Sequence, residues 1–128
     1  MNSFTLEDSL YIYKAYVTDV YDGDTITCII DCGFNLWIQK TKIRLYGINT
    51  PELRGEDRDI GIFVRDELRK KILNKHIFLK TIKDKKGKYG RFLGKIYIKN
   101  TDENNKESID YLCINDWLLE NNYAVVYE

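Results

Sequence analysis

A small closed Greek-key barrel, mainly β with two helices (α+β), is the fold class this chain predicts. Three observations lead there. Five short runs rich in Val, Ile, Tyr and Thr are bounded by Gly, Asp and Asn turn signals. An apolar i, i+4 stripe is inserted after the third run, and a last short helical stretch follows the fifth. The length of 128 residues suits a single domain with one modest core, spanning about residues 11–127.

Residues 11–20 and 24–31 flank "YDGDT" (Tyr21 to Thr25), a turn signal between two strands. In the second run Ile26, Cys28 and Ile30 alternate with Thr25, Thr27 and Ile29, the pattern of a half-buried strand. Residues 35–46 form a third strand whose apolar phase switches between Ile38 and Ile43. That switch predicts a bulge or sharp bend near Gln39 to Thr41. The period then changes: Ile60, Val64, Leu68 and Ile72 recur every four residues and predict an amphipathic helix from Arg58 to Leu73. "HIFLKTI" (76–82) and "RFLGKIYI" (91–98) return to strand character, the latter with Phe92, Ile96 and Ile98 on one face. "KNTDENNKES" (Lys99 to Ser108) reads as a polar loop, and "INDWLLENN" as a short helix before "YAVVYE".

The hydrophobic share of 44% and charged share of 31% are ordinary for a soluble globular protein. No apolar run approaches a membrane span, and "MNSFTLEDSL" lacks both a basic start and an apolar signal core. The expectation is a cytoplasmic monomer without membrane contact if Met1 is the native start, and a secreted one if a leader was removed. Cys28, Cys32 and Cys113 include no CxxC and His76 is the one histidine, so local motifs assemble no zinc site. The cysteines read as small buried hydrophobes and His76 as structural. Net charge is zero but unevenly spread: "KDKKGKYGRFLGK" (Lys83 to Lys95) holds six bases against one acid. From Asp102 onward the chain is mostly acidic.

Three segments carry unusual polar chemistry. "DGDT" places Asp22 and Asp24 two apart around a glycine. "RLYGINTPE" supplies Arg44, then a turn stiffened by Pro51, the chain's one proline, that presents Asn49, Thr50 and Glu52. "GKYGR" supplies Lys88, Tyr89 and Arg91. Taken singly these are a hairpin turn, a surface strand leaving through a β-turn, and a solvated loop. Taken together they supply oxygen ligands for a hard cation, two guanidinium groups suited to phosphate oxygens, and a carboxylate able to activate water. That combination fits hydrolysis of a nucleic-acid backbone.

With "VYDGDT", "IRLYGINTPE", "KYGR" and "INDWLLENNYAVVY" in order, the chain resembles the staphylococcal nuclease-like (thermonuclease) family over roughly residues 11 to 127. The resemblance implies a five-stranded OB-type barrel with a helix after strand three and a short C-terminal helix. It implies a calcium-dependent endonuclease that cleaves single-stranded DNA or RNA with little sequence specificity and leaves 3′-phosphate ends. It further implies that Asp24 and the Thr50 carbonyl ligate Ca2+, with Asp22 a supporting carboxylate nearby. Glu52 corresponds to the glutamate that activates water, Arg44 and Arg91 to the arginines that hold the phosphate, and Lys88 and Tyr89 to groups that contact the substrate's terminal phosphate. The chain departs from the family in four places. Asn49 stands where a second ligating aspartate is common, so the site loses one negative charge while keeping an oxygen. Gly87 replaces an acid before "KYGR". Asn122 replaces the glycine after the last matched helix, a position asparagine also suits. The chain stops at Glu128, leaving Tyr127 as the candidate base-stacking aromatic. The rival reading is a non-catalytic OB-fold module that binds nucleic acid or protein.

Overall fold

The architecture follows from a strand that turns twice and then meets itself. The computed structural model describes residues 5–86, 92–101 and 107–127. Strands β1 (Ile12–Asp22), β2 (Thr25–Asp31) and β3 (Trp37–Leu45) form an antiparallel meander. After a two-residue strand β4 (Ile48–Asn49) comes helix α1 (Arg58–Ile72), one residue shorter than its apolar period predicts. Strand β5 (His76–Lys86) pairs with β1, and β6 (Phe92–Thr101) pairs with both β5 and β3. The β3–β6 pairing is parallel, matching Ile43 with Phe92 and Leu45 with Gly94, and it closes a five-stranded mixed barrel. This is an OB-type barrel.

The phase switch in β3 has the cause its sequence suggests. Cys28 faces Thr41 but Ile30 faces Ile38, so Gln39 and Lys40 together oppose Ile29, and Lys40 takes a positive φ of 49°. Beyond the bulge Ile43 and Leu45 turn into the core, while Ile38 stays half exposed. Val17, Val20, Ile26, Leu79 and Ile96 fill the barrel, and Val64, Leu68 and Ile72 of α1 close one end. Gly94 is required inside. An added Cβ would lie 2.7 Å from the Leu79 side chain and 3.3 Å from that of Ile43.

Several expectations need correcting. The stretch read as a polar loop runs partly into a sixth sheet strand, β7 (Glu107–Cys113), paired to β6. Phe92 is exposed rather than sharing a buried face with Ile96, because it sits where β6 has only just entered the barrel wall. Of the cysteines only Cys28 is fully buried, and burial pushes its thiol up to about 12. His76 is exposed and packs against the Tyr16 ring, with centroids 5.0 Å apart.

Helix α2 (Ile114–Glu120) carries a buried polar anchor. The Asn115 Oδ1 accepts from the Ile96 N–H at 3.1 Å, and its Nδ2 donates to the carbonyls of Tyr46 at 2.9 Å and Gly94 at 3.2 Å. One amide thus ties β6 to the segment that leaves β3. Beyond the helix, capped by Asn121, Asn122 takes a positive φ of 60° that lets Tyr123 N–H reach back to the Leu118 carbonyl at 2.9 Å. The chain then adds β8 (Val125–Val126) antiparallel to β4. Replacing the Asn115 side chain strands a buried N–H and a carbonyl. Asn115→Ala is therefore expected to lose about 3 kcal/mol of stability, measured by urea denaturation.

Candidate functional site

The site is built around one carboxylate. Asp24 is the second residue of the two-residue turn between β1 and β2, and is only 6% exposed. The turn is shaped by Asp22, whose Oδ1 accepts the Asp24 N–H at 3.1 Å. Both oxygens of Asp24 are engaged. Oδ1 takes the Arg44 guanidinium at 2.9 Å and the Thr25 hydroxyl at 3.1 Å. Oδ2 takes the N–H and the hydroxyl of Thr50, each at 3.1 Å. An ionised carboxylate offers about four acceptor sites, and all four are used here.

Arg44 projects from β3 beside that carboxylate, and its side chain is 14% exposed. Its Nη2 donates to the Ile48 carbonyl at 3.1 Å and to Asn49 Oδ1 at 3.4 Å. Its guanidinium carbon lies 5.3 Å from the centroid of the Tyr127 ring. Tyr127 reaches that position because β8 pairs Val125 with Asn49 and because the Tyr127 N–H bonds the Gly47 carbonyl at 2.9 Å. The aromatic considered for base stacking is therefore a wall for Arg44 in this structure.

The turn 49–52 is held by close approach on two sides. A Cβ on Gly23 would lie 2.8 Å from the side chain of Thr50. A Cβ on Gly61, in the first half of α1, would lie 2.3 Å from the Glu52 carbonyl oxygen and 2.9 Å from that of Pro51. The helix and the hairpin turn thus grip the segment between them. Arg69 adds a clamp from α1 to the end of β1, its Nε and Nη2 donating to the Val20 carbonyl at 3.2 and 3.0 Å. Glu52 itself is exposed and forms a loose ion pair with Arg54 at 3.6 Å. It borders an open cleft of about 390 Å³ shared with Asn49, Thr50, Asp57 and Tyr123. A larger concavity lies elsewhere, along β1, β5 and the end of α1, and contains none of these residues.

The two turn carboxylates titrate as an unequal pair. Burial pushes Asp22 up to about 6, with the charge of Asp24 and a side-chain hydrogen bond between the two adding to it. Burial also acts to raise Asp24. It is outweighed by the hydrogen bond from Asp22, the Arg44 charge and the Thr50 amide, so Asp24 lies below the ordinary carboxylate value. At neutral pH the turn holds two partly buried negative charges against one guanidinium.

The structure therefore brings together Asp22, Asp24, Arg44, Asn49 and Thr50, with Glu52 at the rim. Lys88, Tyr89 and Arg91 lie outside the described residues. Among the described residues no three His, Cys, Asp or Glu side chains gather as a metal cluster. The fit to a hard cation rests on donor type: carboxylate, amide and carbonyl oxygens, with a carboxylate pair whose repulsion a cation would relieve. Sequence reasoning passed over Gly61, Asn115 and the Tyr127 wall. Gly61 had a signal, an isolated glycine inside a helical apolar pattern.

Residues 42–128 match the model of the family described as staphylococcal nuclease homologue. The uncharacterized protein MJ1439 of Methanocaldococcus jannaschii is 28% identical over 136 aligned positions, covering 90% of this chain. The match covers 59% of that relative's length.

The raised pKa of Asp22 has a signed consequence. A carboxyl whose folded value of about 6 exceeds its ordinary 3.8 favours the fold when protonated, and that stability is lost as pH rises through 6. In chelator, Asp22→Asn is expected to melt higher than the wild type at about pH 8, with the advantage fading below about pH 4. Melting curves across that range check it.

Proposed function

The chain belongs to the family of staphylococcal nuclease homologues, and we propose that it is a calcium-dependent phosphodiesterase cleaving single-stranded DNA or RNA with little sequence preference. The observation that carries this reading is the Asp24-centred cluster, which gathers Arg44, Asn49 and Thr50 beside the cleft bordered by Glu52.

Asp24, Asn49 Oδ1 and the Thr50 carbonyl would hold the cation, with Asp22 adding charge behind them. Bound calcium would supply electrostatic neutralisation of a phosphate oxygen. The chain's own residues do the rest. Arg44 has Nη groups committed to Asp24, Ile48 and Asn49, which fixes the plane of the guanidinium. Its remaining N–H donors can meet a phosphate oxygen at no cost in reorganisation. Glu52, exposed at the cleft, takes a proton from water as the water oxygen bonds to phosphorus. The bond from phosphorus to the 5′ oxygen breaks, and that oxygen takes a proton from solvent water, leaving a 3′-phosphate and a 5′-hydroxyl. Arg91, with Lys88 and Tyr89, completes the phosphate contacts in this reading.

One observation favours the non-catalytic alternative: protein donors already fill the acceptor sites of Asp24, and Asn49 supplies no second charge. The assay that separates the two is incubation with single-stranded DNA and with RNA, in calcium and in chelator. Calcium-dependent degradation supports the enzyme, and no cleavage with any divalent ion supports the binding module.

Two variants sharpen the test. Glu52→Gln is expected to cut turnover about 100- to 1,000-fold with an unchanged melting temperature, since Glu52 is exposed and lies outside the core. Wild-type turnover would remove Glu52 from the mechanism. Asn49→Asp restores a carboxylate at nearly constant volume, and ligand charge tunes calcium affinity. Tighter calcium binding by calorimetric titration, with half-maximal cleavage at lower calcium, is expected. Equal affinity would show that residue 49 is no ligand.

A further inference from the structure

A concavity of about 930 Å³ lies between the C-terminal end of α1 and the outer face of β1 and β5. Its floor follows from strand register. Ala15 and Ile77 pair across β1 and β5 and point into the core, so Lys14, Tyr16, His76 and Phe78 face outward. One cross-strand row runs Trp37, Asp31, Lys14, Phe78, Tyr97 through four pairings. Beside it Tyr16 packs on His76, and Phe78 meets Tyr111 edge to face with centroids 5.6 Å apart. Trp37 is 54% exposed at the groove's edge.

The rim is basic. Lys70, Lys71 and Lys75 line it from the end of α1, and Lys14 and Lys99 from the sheet, against the carboxylates Asp31 and Glu67. Glu67 holds Lys70 at 3.5 Å, and Lys71 lies 5.2 Å over the Trp117 ring. Lys14 stands on β1, and Lys75 on the segment that follows α1. Aromatic rings with lysines among and around them match a polyanion carrying flat apolar groups. Tyr16 and Asp22 lie six residues apart on β1, which places the groove about 20 Å from the Asp24 turn.

We propose that this groove is a second binding site for single-stranded nucleic acid, in which bases stack on Tyr16, Phe78 and Trp37 while lysines hold the phosphates. It rests on the nucleic-acid reading of the Asp24 pole and adds to it a hold on the strand away from the scissile bond. Such platforms tolerate sequence because every base has a π face, and OB folds engage about 4–16 nucleotides. A dinucleotide would reach one site and a dodecamer both.

The test uses the full chain in chelator, where no cleavage intervenes, with fluorescent dT12 and U12 read by anisotropy. Lys14→Glu with Lys75→Glu should weaken binding at least tenfold and flatten its salt dependence. Trp37→Ala should weaken it roughly fivefold or more, from the loss of one stacking surface. Trp37→Ala and Lys14→Glu alone should melt as the wild type, because both side chains are exposed. The Lys75 Nζ also donates to the Lys70 carbonyl at 3.1 Å, so the double variant should melt slightly lower, and Lys14→Glu alone should still show weakened binding. In calcium the same variants should raise KM for the dodecamer, leave kcat unchanged, and cleave a thymidine dinucleotide as the wild type does. Wild-type affinity for both dodecamers in the charge-reversed protein would overturn the groove. So would loss of binding to anionic lipid vesicles in a protein that never bound dT12. Binding that depends on the groove in a chain that cleaves nothing would leave the groove standing and remove the catalytic reading of the pole.

Discussion

The buried carboxylate of Asp24 is the constraint on which the rest of the site depends. Moving an ion of that size out of water costs several kcal/mol, and the cost is offset only where charge and hydrogen bonds surround it. Here the compensation comes from three places in the chain: Thr25 next door, Arg44 on β3, and both donors of Thr50. Each is fixed in turn by something else. The Arg44 backbone pairs with Thr25 across the sheet, while Thr50 is pressed against Gly23 on one side and its neighbours Pro51 and Glu52 against Gly61 on the other. Removing any donor would leave a buried charge undercompensated, so the turn, the guanidinium and the segment 49–52 form a single mechanical unit.

That unit explains why the C-terminal strand, two residues long, matters to the pole. Pairing of β8 with β4 fixes Asn49 from outside and lays Tyr127 over the guanidinium. Arg44 is thereby held by an anion on one side, two oxygens at its end and a ring on its face. A guanidinium so restrained loses little freedom when it meets a phosphate, which is the physical content of preorganisation. Asn49 fits the same picture. Its amide oxygen accepts from Arg44 at 3.4 Å without adding a charge that would compete with Asp24 for the guanidinium.

The barrel was legible in the sequence wherever burial on one face imposed a period. The alternation of Ile26, Cys28 and Ile30, the phase break before Ile43 and the four-residue spacing of Val64, Leu68 and Ile72 all report burial, and burial is what the structure shows. β7 was missed because a strand added outside the closed ring is set by pairing with β6 rather than by an apolar face, and Tyr111 on it is exposed. Phe92 misled for the converse reason, since its alternation continues past the point where the barrel wall begins. Asp24, Arg44 and Thr50 could be read from their motifs as neighbours in space. The Tyr127 wall could not, because it depends on where a two-residue strand docks. Nor could the Gly61 contact, which depends on how closely a helix packs on a loop distant from its own apolar stripe.

The distribution of charge ties the pole to the remote groove. A net charge of zero gives a polyanion no general attraction to this protein. Among the described residues, Asp22 and Asp24 stand at the turn beside Arg44, and Glu52 and Asp57 line the neighbouring cleft. Those carboxylates oppose a phosphodiester that approaches them without a cation. In the proposed reading two things would change that balance: a cation among the oxygens of Asp24, Asn49 and Thr50, and a lysine-lined groove holding the strand from about 20 Å away. The first would neutralise the carboxylates locally. The second would let association begin where the potential is favourable. The acidic turn and the basic groove on one small barrel would then be two halves of a single electrostatic solution.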